Sequence, residues 1–304
     1  MKVFVAQPLP EPSTSELLAG FEVTVGRGGL PADEVERHLP EADALLPTPR
    51  ERVSTAILAR AANLRIVATC SVGTDHIDLH ACRSRGILVT NTPDVLTEAT
   101  ADLTWALILA VARRLREGDA LVRSGTWDGW KPLELLGISL EGKTLGIWGA
   151  GRIGRAVARR GEAFGMRTLL LRGGDDESRF TRLLEESDVL SLHAPLTPST
   201  EGRFGPAEFA RMRKGAILVN TARGPLVDEA ALVEALSSGH LGGAGLDVYE
   251  NEPRVRPGLL TLSNVVLLPH VGSATRETRL AMARLACEEI ARFFRGEPPL
   301  HRVV

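Results

Sequence analysis

The sequence predicts an α/β protein built from two doubly wound parallel-sheet domains. Short β-rich runs alternate with amphipathic stretches twice along the chain, and one long apolar segment divides the two series. In the first series KVFVAQ, FEVTV, ADALLP, LRIVAT and ILVTN read as strands, with helical stretches such as residues 52–61 between them. The segment EPSTSELLAGFE after the first strand reads as a loop. Residues 99–116, ATADLTWALILAVARRLR, read as one long helix, apolar enough to be largely buried and to mark the crossing between domains. A loop-rich stretch with Trp127, Trp130 and Pro132 follows.

The second series opens at residue 143. KTLGIW, RTLLL, DVLSL, AILVN, GAGLDV and NVVLL read as strands, with helices over residues 152–164, 179–186 and 228–238. A last helix, from about residue 274 to 295, is expected to return to the first domain. The division is therefore 1–98 plus 275–304 for one domain and 99–274 for the other.

Composition narrows the function. The chain has 304 residues, enough for two ordinary cores, and 44% hydrophobic with 24% charged residues fits a soluble globular protein. A net charge of −2 gives no reason to expect a nucleic-acid or membrane-surface partner. Cys70, Cys82 and Cys287 are scattered and form no C-x-x-C pair, which argues for a reducing compartment and against a zinc site or any other metal centre. The opening MKVFVAQPLP is too short an apolar stretch for a signal peptide, and the run from Trp105 to Ala112 is too short for a bilayer. A cytoplasmic location is expected.

The first chemical signal is Gly149-x-Gly151-x-x-Gly154, which directly follows a strand and opens a helix. The first glycine permits the tight turn, the second lets backbone approach a pyrophosphate, and the third lets helix and strand pack closely. With Arg152 and Ile153, these residues put the free N–H groups of a helix start against phosphates. This context predicts a Rossmann-like dinucleotide site. An acidic residue for the ribose 2′-hydroxyl is normal about 20 residues on, but Arg172 stands there. A guanidinium grips a 2′-phosphate, so NADP(H) is expected to be preferred, with NAD(H) as the alternative cofactor. Asp175, Asp176 and Glu177 close behind oppose that preference.

The second signal is three stretches at strand ends: NTARGPLVD around Arg223, GLDVYENEP around Glu252 and LLPHVGSAT around His270. Singly, each residue has an ordinary structural reading. Together they follow strands of one nucleotide-binding series, whose carboxyl ends line the ligand crevice. Reducing a 2-keto acid needs a cation for the carboxylate, a proton donor for the developing alkoxide, and a hydride. Arg223 supplies the first, protonated His270 the second, and Glu252 orients the imidazole and favours its charged form.

In their order SVGTDHID, GAGRIG, NTARG, ENEP and PHVGSAT, these motifs resemble the D-isomer-specific 2-hydroxyacid dehydrogenase family over essentially the whole chain. The resemblance implies a flavodoxin-like substrate domain and an NAD(P)-binding Rossmann domain with a cleft between them. It implies Arg223, Glu252 and His270 as the catalytic trio. The Val72–Gly73 amides would cradle the substrate carboxylate, and Asp247, Gly272 and the Thr221–Ala222 turn would lie beside the nicotinamide. It also implies a homodimer formed through the nucleotide-binding domain, acting on a small 2-keto or 2-hydroxy acid.

TPDVLT, WKPL, LPHVGSAT and RGEP are similar to the glyoxylate and hydroxypyruvate reductase branch. In that branch the tryptophan of WKPL, here Trp130, reaches the partner's active site and contacts substrate; anchoring of the dimer arm is the other reading of it. Glu252 disfavours formate dehydrogenase, which carries glutamine there. A short D-3-phosphoglycerate dehydrogenase and a non-enzymatic NAD(P)-binding regulator are the alternatives.

Overall fold

The computed structural model describes residues 1–172 and 176–304, and the chain folds as two compact units. Unit 1 comprises Met1–Leu96 with Ser273–Val304, and unit 2 comprises Thr97–Gly272.

Unit 1 begins with β1 (Lys2–Val5), α1 (Ser13–Leu17), β2 (Glu22–Val25), α2 (Ala32–His38) and β3 (Ala44–Leu46). It continues with α3 (Thr55–Arg60), β4 (Ile66–Ala68), α4 (Leu79–Ser84) and β5 (Leu88–Thr90). The strands form one sheet in the order β2-β1-β3-β4-β5, and every pair is parallel. β3 and β4 are buried at every residue, as strands covered on both faces must be.

Unit 2 holds α5 (Thr97–Ala112), α6 (Leu115–Arg123), β6 (Thr144–Trp148), α7 (Arg152–Ala163), β7 (Arg167–Leu171) and α8 (Glu177–Glu186). Then come β8 (Val189–Leu192), α9 (Pro206–Arg211), β9 (Ile217–Asn220), α10 (Glu229–Ser237), β10 (Gly243–Leu246), α11 (Pro257–Thr261) and β11 (Val265–Leu267). Its parallel sheet runs β11-β10-β9-β8-β6-β7. The order reverses between β6 and β8, which creates a switch-point crevice at their carboxyl ends. One core, including Phe180, Phe204, Phe209 and Leu232, packs against the sheet. A second core gathers α5 and α7 around Leu107, Ile108, Ile147 and Val157. The Trp105 indole N–H donates to the Val157 carbonyl at 2.9 Å, and its ring stacks on Phe164 at 4.4 Å. The expected fold class is therefore the observed one.

The final helix, α12 (Arg276–Phe294), packs in unit 1 against α1, β3 and β4. Beyond it the last residues add to the sheet edge: the Val303 amide donates to the Val89 carbonyl at 2.7 Å, and Thr90 bridges Arg302 in antiparallel sense. The buried Glu289 carboxylate accepts the Leu300 and His301 amides.

Two local expectations are corrected. Residues 99–116 are not one helix. The Ile138 amide takes the Ala112 carbonyl at 2.9 Å, and Arg114 turns left-handed at φ 53°, so α5 stops and α6 starts afresh. EPSTSELLAGFE is not all loop. It contains α1, which buries Ser13 and Thr14 beside α12. The short helices α2, α4, α9 and α11 are likewise absent from the sequence reading, because five to seven residues carry too little periodicity to read.

Candidate active site

β6 leads into Gly149 at φ +101°, a conformation that suits glycine and starts the tight turn. The Gly149 and Ala150 amides both donate to the Leu171 carbonyl at the end of β7. A Cβ on Gly149 would lie 2.3 Å from the Ala194 amide nitrogen, and one on Gly154 would lie 2.3 Å from the Gly149 carbonyl oxygen. A Cβ on Gly151 would meet nothing within 4 Å. The turn is thus tight on the protein side and open at the helix start. Gly151 caps α7 without a side-chain hydrogen bond, and the helix starts with its first-turn N–H groups at the glycine turn. The residues present fit a dinucleotide pyrophosphate.

Arg172 stands exposed one residue beyond β7. Of the acidic residues expected to oppose it, Asp175 lies outside the described residues. Asp176 caps α8 by accepting the Ser178 amide, and Glu177 pairs with Arg203 at 2.7 Å. Both therefore have local partners of their own.

Sequence reasoning passes over His193. It follows β8 at the switch point, its backbone abuts Gly149, and Ser191 Oγ lies 2.8 Å from its Nε2. Burial pushes its imidazole down to about 3, so it is neutral at the edge of the nucleotide turn. Its only sequence signal is its place after a strand, in HAPLT.

Thr221, Ala222, Arg223, Asp247, Glu252, His270 and Gly272 sit on loops after β9, β10 and β11. Asn220 ends β9 and braces the next turn: its Oδ1 accepts the Ala222 amide and its Nδ2 donates to the Arg223 carbonyl. Thr221 lies 2.9 Å, hydroxyl to hydroxyl, from Thr104 of α5. Gly224 then presses on the Tyr249–Glu250 peptide so closely that a Cβ would lie 1.8 Å from the Tyr249 carbonyl carbon. The loop carrying Arg223 is thereby seated on the loop carrying Glu252.

His270 Nδ1 lies 2.9 Å from Glu252 Oε2, while Glu252 Oε1 accepts the Tyr249 amide at 3.1 Å. Burial pushes the Glu252 carboxyl up, but the His270 hydrogen bond, the His270 and Arg223 charges and the Tyr249 amide outweigh it. The net result lies below the usual value, so Glu252 is an anion at neutral pH. His270 itself is left-handed at φ 56°, which costs on the order of 1–3 kcal/mol. Asp247 holds that backbone. Its carbonyl accepts the His270 amide at 2.9 Å, and its two carboxylate oxygens take the Val271 and Gly272 amides at 2.7 Å each. Burial raises the Asp247 carboxyl, with those amides opposing it in part.

A cavity of about 520 Å³ lies elsewhere, at the amino ends of β9, β10 and β11. It is lined by Ile217, Gly242 and Asn264, and Arg116 reaches the carbonyls of Leu262, Ser263 and Val265 there. The chemistry gathers at the opposite strand ends. Trp130 is 83% exposed, on a stretch where Trp127, Leu133 and Leu136 are also exposed. Val72 and Gly73 follow β4 in unit 1, both half-buried.

Residues 105–272 match the family described as D-isomer specific 2-hydroxyacid dehydrogenase, NAD binding domain. The chain belongs to that family. It is an NAD(P)-dependent oxidoreductase acting on CH–OH groups. A glyoxylate reductase of Thermococcus litoralis is 44% identical to the enzyme over 98% of this chain and 95% of its own. A solved protein of Thermus thermophilus is 48% identical, with a TM-score of 0.94 and 100% of both chains covered. An NADPH-dependent glyoxylate/hydroxypyruvate reductase of Sinorhizobium meliloti, solved with NADP and malonate, has a TM-score of 0.90 at 35% identity. That match covers 100% of this chain and 96% of the other. No helix among the described residues is long and apolar enough to cross a membrane, and no group of three or more of their His, Cys, Asp and Glu side chains could hold a metal ion.

Proposed function

We propose that this dehydrogenase reduces glyoxylate and hydroxypyruvate to glycolate and D-glycerate, reversibly, with NADPH preferred over NADH. The observation that carries the reading is the 2.9 Å His270–Glu252 pair on loops seated against that of Arg223. The names of the Thermococcus and Sinorhizobium relatives support the choice of substrates.

When bound, the nicotinamide supplies the hydride. Gly149, Gly151 and Gly154 and the amides of Arg152 and Ile153 would hold the phosphates. Thr221, Ala222, Asp247 and Gly272 would flank the nicotinamide. Arg223 pairs with the substrate carboxylate and polarises the carbonyl. In unit 1, the Val72 and Gly73 amides are the carboxylate donors that the family resemblance implies. Glu252 occupies Nδ1 of His270, which leaves Nε2 as the proton donor. As hydride reaches the carbonyl carbon, the Nε2 proton passes to the carbonyl oxygen, and the neutral imidazole is reprotonated from solvent.

The finer parts of the reading concern cofactor choice and assembly. Arg172 takes the 2′-phosphate of NADPH. The exposed apolar stretch around Trp127, Trp130, Leu133 and Leu136 forms a homodimer arm, with Trp130 reaching the partner's active site. The expected location is the cytoplasm, a reading that the three free, buried cysteines support.

The test of the cofactor choice is the ratio of kcat/KM for NADPH to that for NADH, measured with glyoxylate. Arg172→Asp is expected to lower this ratio by about tenfold to a hundredfold, the worth of a lost charge-assisted contact. An unmoved ratio would make Arg172 a surface charge and remove the argument for NADPH.

A further inference from the structure

The loop after β4 is held by two side chains that the proposed mechanism leaves unused. Asn91, just past β5, donates from Nδ2 to the Val72 carbonyl at 2.8 Å. Ser71, 3% exposed, donates its single hydroxyl proton to the Gly73 carbonyl at 2.7 Å. Its Oγ lies 2.8 Å from Thr69 Oγ1, which is 3.0 Å from His76 Nε2 and 3.3 Å from the Pro47 carbonyl. The Ser71 carbonyl accepts the Thr92 amide at 2.8 Å, and the Asn91 amide donates to His301 of the C-terminal segment. Asn91 and Ser71 are therefore fixed from both sides, by β5 with its C-terminal edge and by the hydroxyls behind β4.

A trans peptide is planar, with its carbonyl and N–H pointing in opposite directions. Holding the Val72 carbonyl therefore aims the Gly73 N–H, and holding the Gly73 carbonyl aims the Thr74 N–H. Val72, Gly73 and Thr74 are all half-buried, and we find no protein acceptor for their amides among the described residues. Successive N–H groups directed to one side make an anion nest.

We propose that Asn91 and Ser71 are positioning residues for the substrate carboxylate, aiming the Gly73 and Thr74 amides at it. This rests on the reading that the Val72–Gly73 loop takes that carboxylate, and it adds Thr74 as a donor. The two side chains touch no substrate. They act by preorganising backbone groups that would otherwise have to be ordered on binding.

The experiment is steady-state kinetics of Asn91→Ala, Ser71→Ala and Asn91→Gln with glyoxylate, alongside Kd for NADPH. Each alanine variant is expected to raise KM for glyoxylate about tenfold with kcat changed little and NADPH affinity unchanged. Asn91→Gln, which keeps the amide donor, is expected to recover most of the loss. A KM left within about twofold of wild type in both alanine variants, while Arg223→Ala raises it, overturns the proposal but leaves the site reading standing. If Arg223→Ala also leaves KM unchanged, the carboxylate reading itself is wrong. Parallel losses of kcat and NADPH affinity, unrescued by Asn91→Gln, would show that these contacts only hold the fold, and would also overturn the proposal.

Discussion

Replacing His270 by alanine is expected to lower kcat for glyoxylate by about 10²–10⁴, the usual worth of a positioned general acid. Kd for NADPH should stay within about twofold, since the nucleotide turn lies after β6 and depends on other residues. The expectation follows from how the residue is held. Asp247 spends its carbonyl and both carboxylate oxygens on the backbone of 270–272, and Glu252 takes Nδ1. A left-handed histidine stabilised from two loops is poorly explained by packing alone. Unchanged turnover in rapid-mixing or steady-state assays would remove His270 from the chemistry.

Arg223→Ala should raise KM for glyoxylate and lower kcat together, reducing kcat/KM by about 10³ or more, because one guanidinium both pairs with the carboxylate and stabilises charge on the carbonyl oxygen. A further effect is electrostatic. The Arg223 charge contributes to holding Glu252 below its ordinary value, so its loss lets burial act on that carboxyl with less opposition. The low-pH edge of activity should therefore move upward in the variant, as Glu252 protonates at higher pH. Measuring kcat/KM against pH in both forms checks this. A normal KM would place the substrate carboxylate elsewhere.

Much of the framework was legible because central parallel strands such as β3, β4, β8 and β9, buried at every residue, are short apolar runs between turns. The glycine turn was legible for a steric reason: Gly149 and Gly154 are packed against backbone, and no other residue fits there. The candidate trio could be proposed from the sequence because Arg223, Glu252 and His270 each follow a strand of one series. What the sequence hid depends on tertiary partners. The break after Ala112 is made by Ile138, 26 residues later, and no local pattern announces it. α1 is too short for helical periodicity and shows itself only against α12. His193 reads as one more loop histidine until Gly149 is seen against its backbone. Asn91 looks like a strand-end turn residue, and only the fold brings its amide to Val72.

The most direct test of the central claim is the initial rate of NADPH oxidation with glyoxylate and with hydroxypyruvate, each repeated with NADH, together with the chirality of the glycerate formed. The account predicts turnover of both acids, faster at limiting cofactor with NADPH, and D-glycerate as the product. Absence of turnover with either acid, by enzyme that still binds NADPH, or formation of L-glycerate, would contradict it.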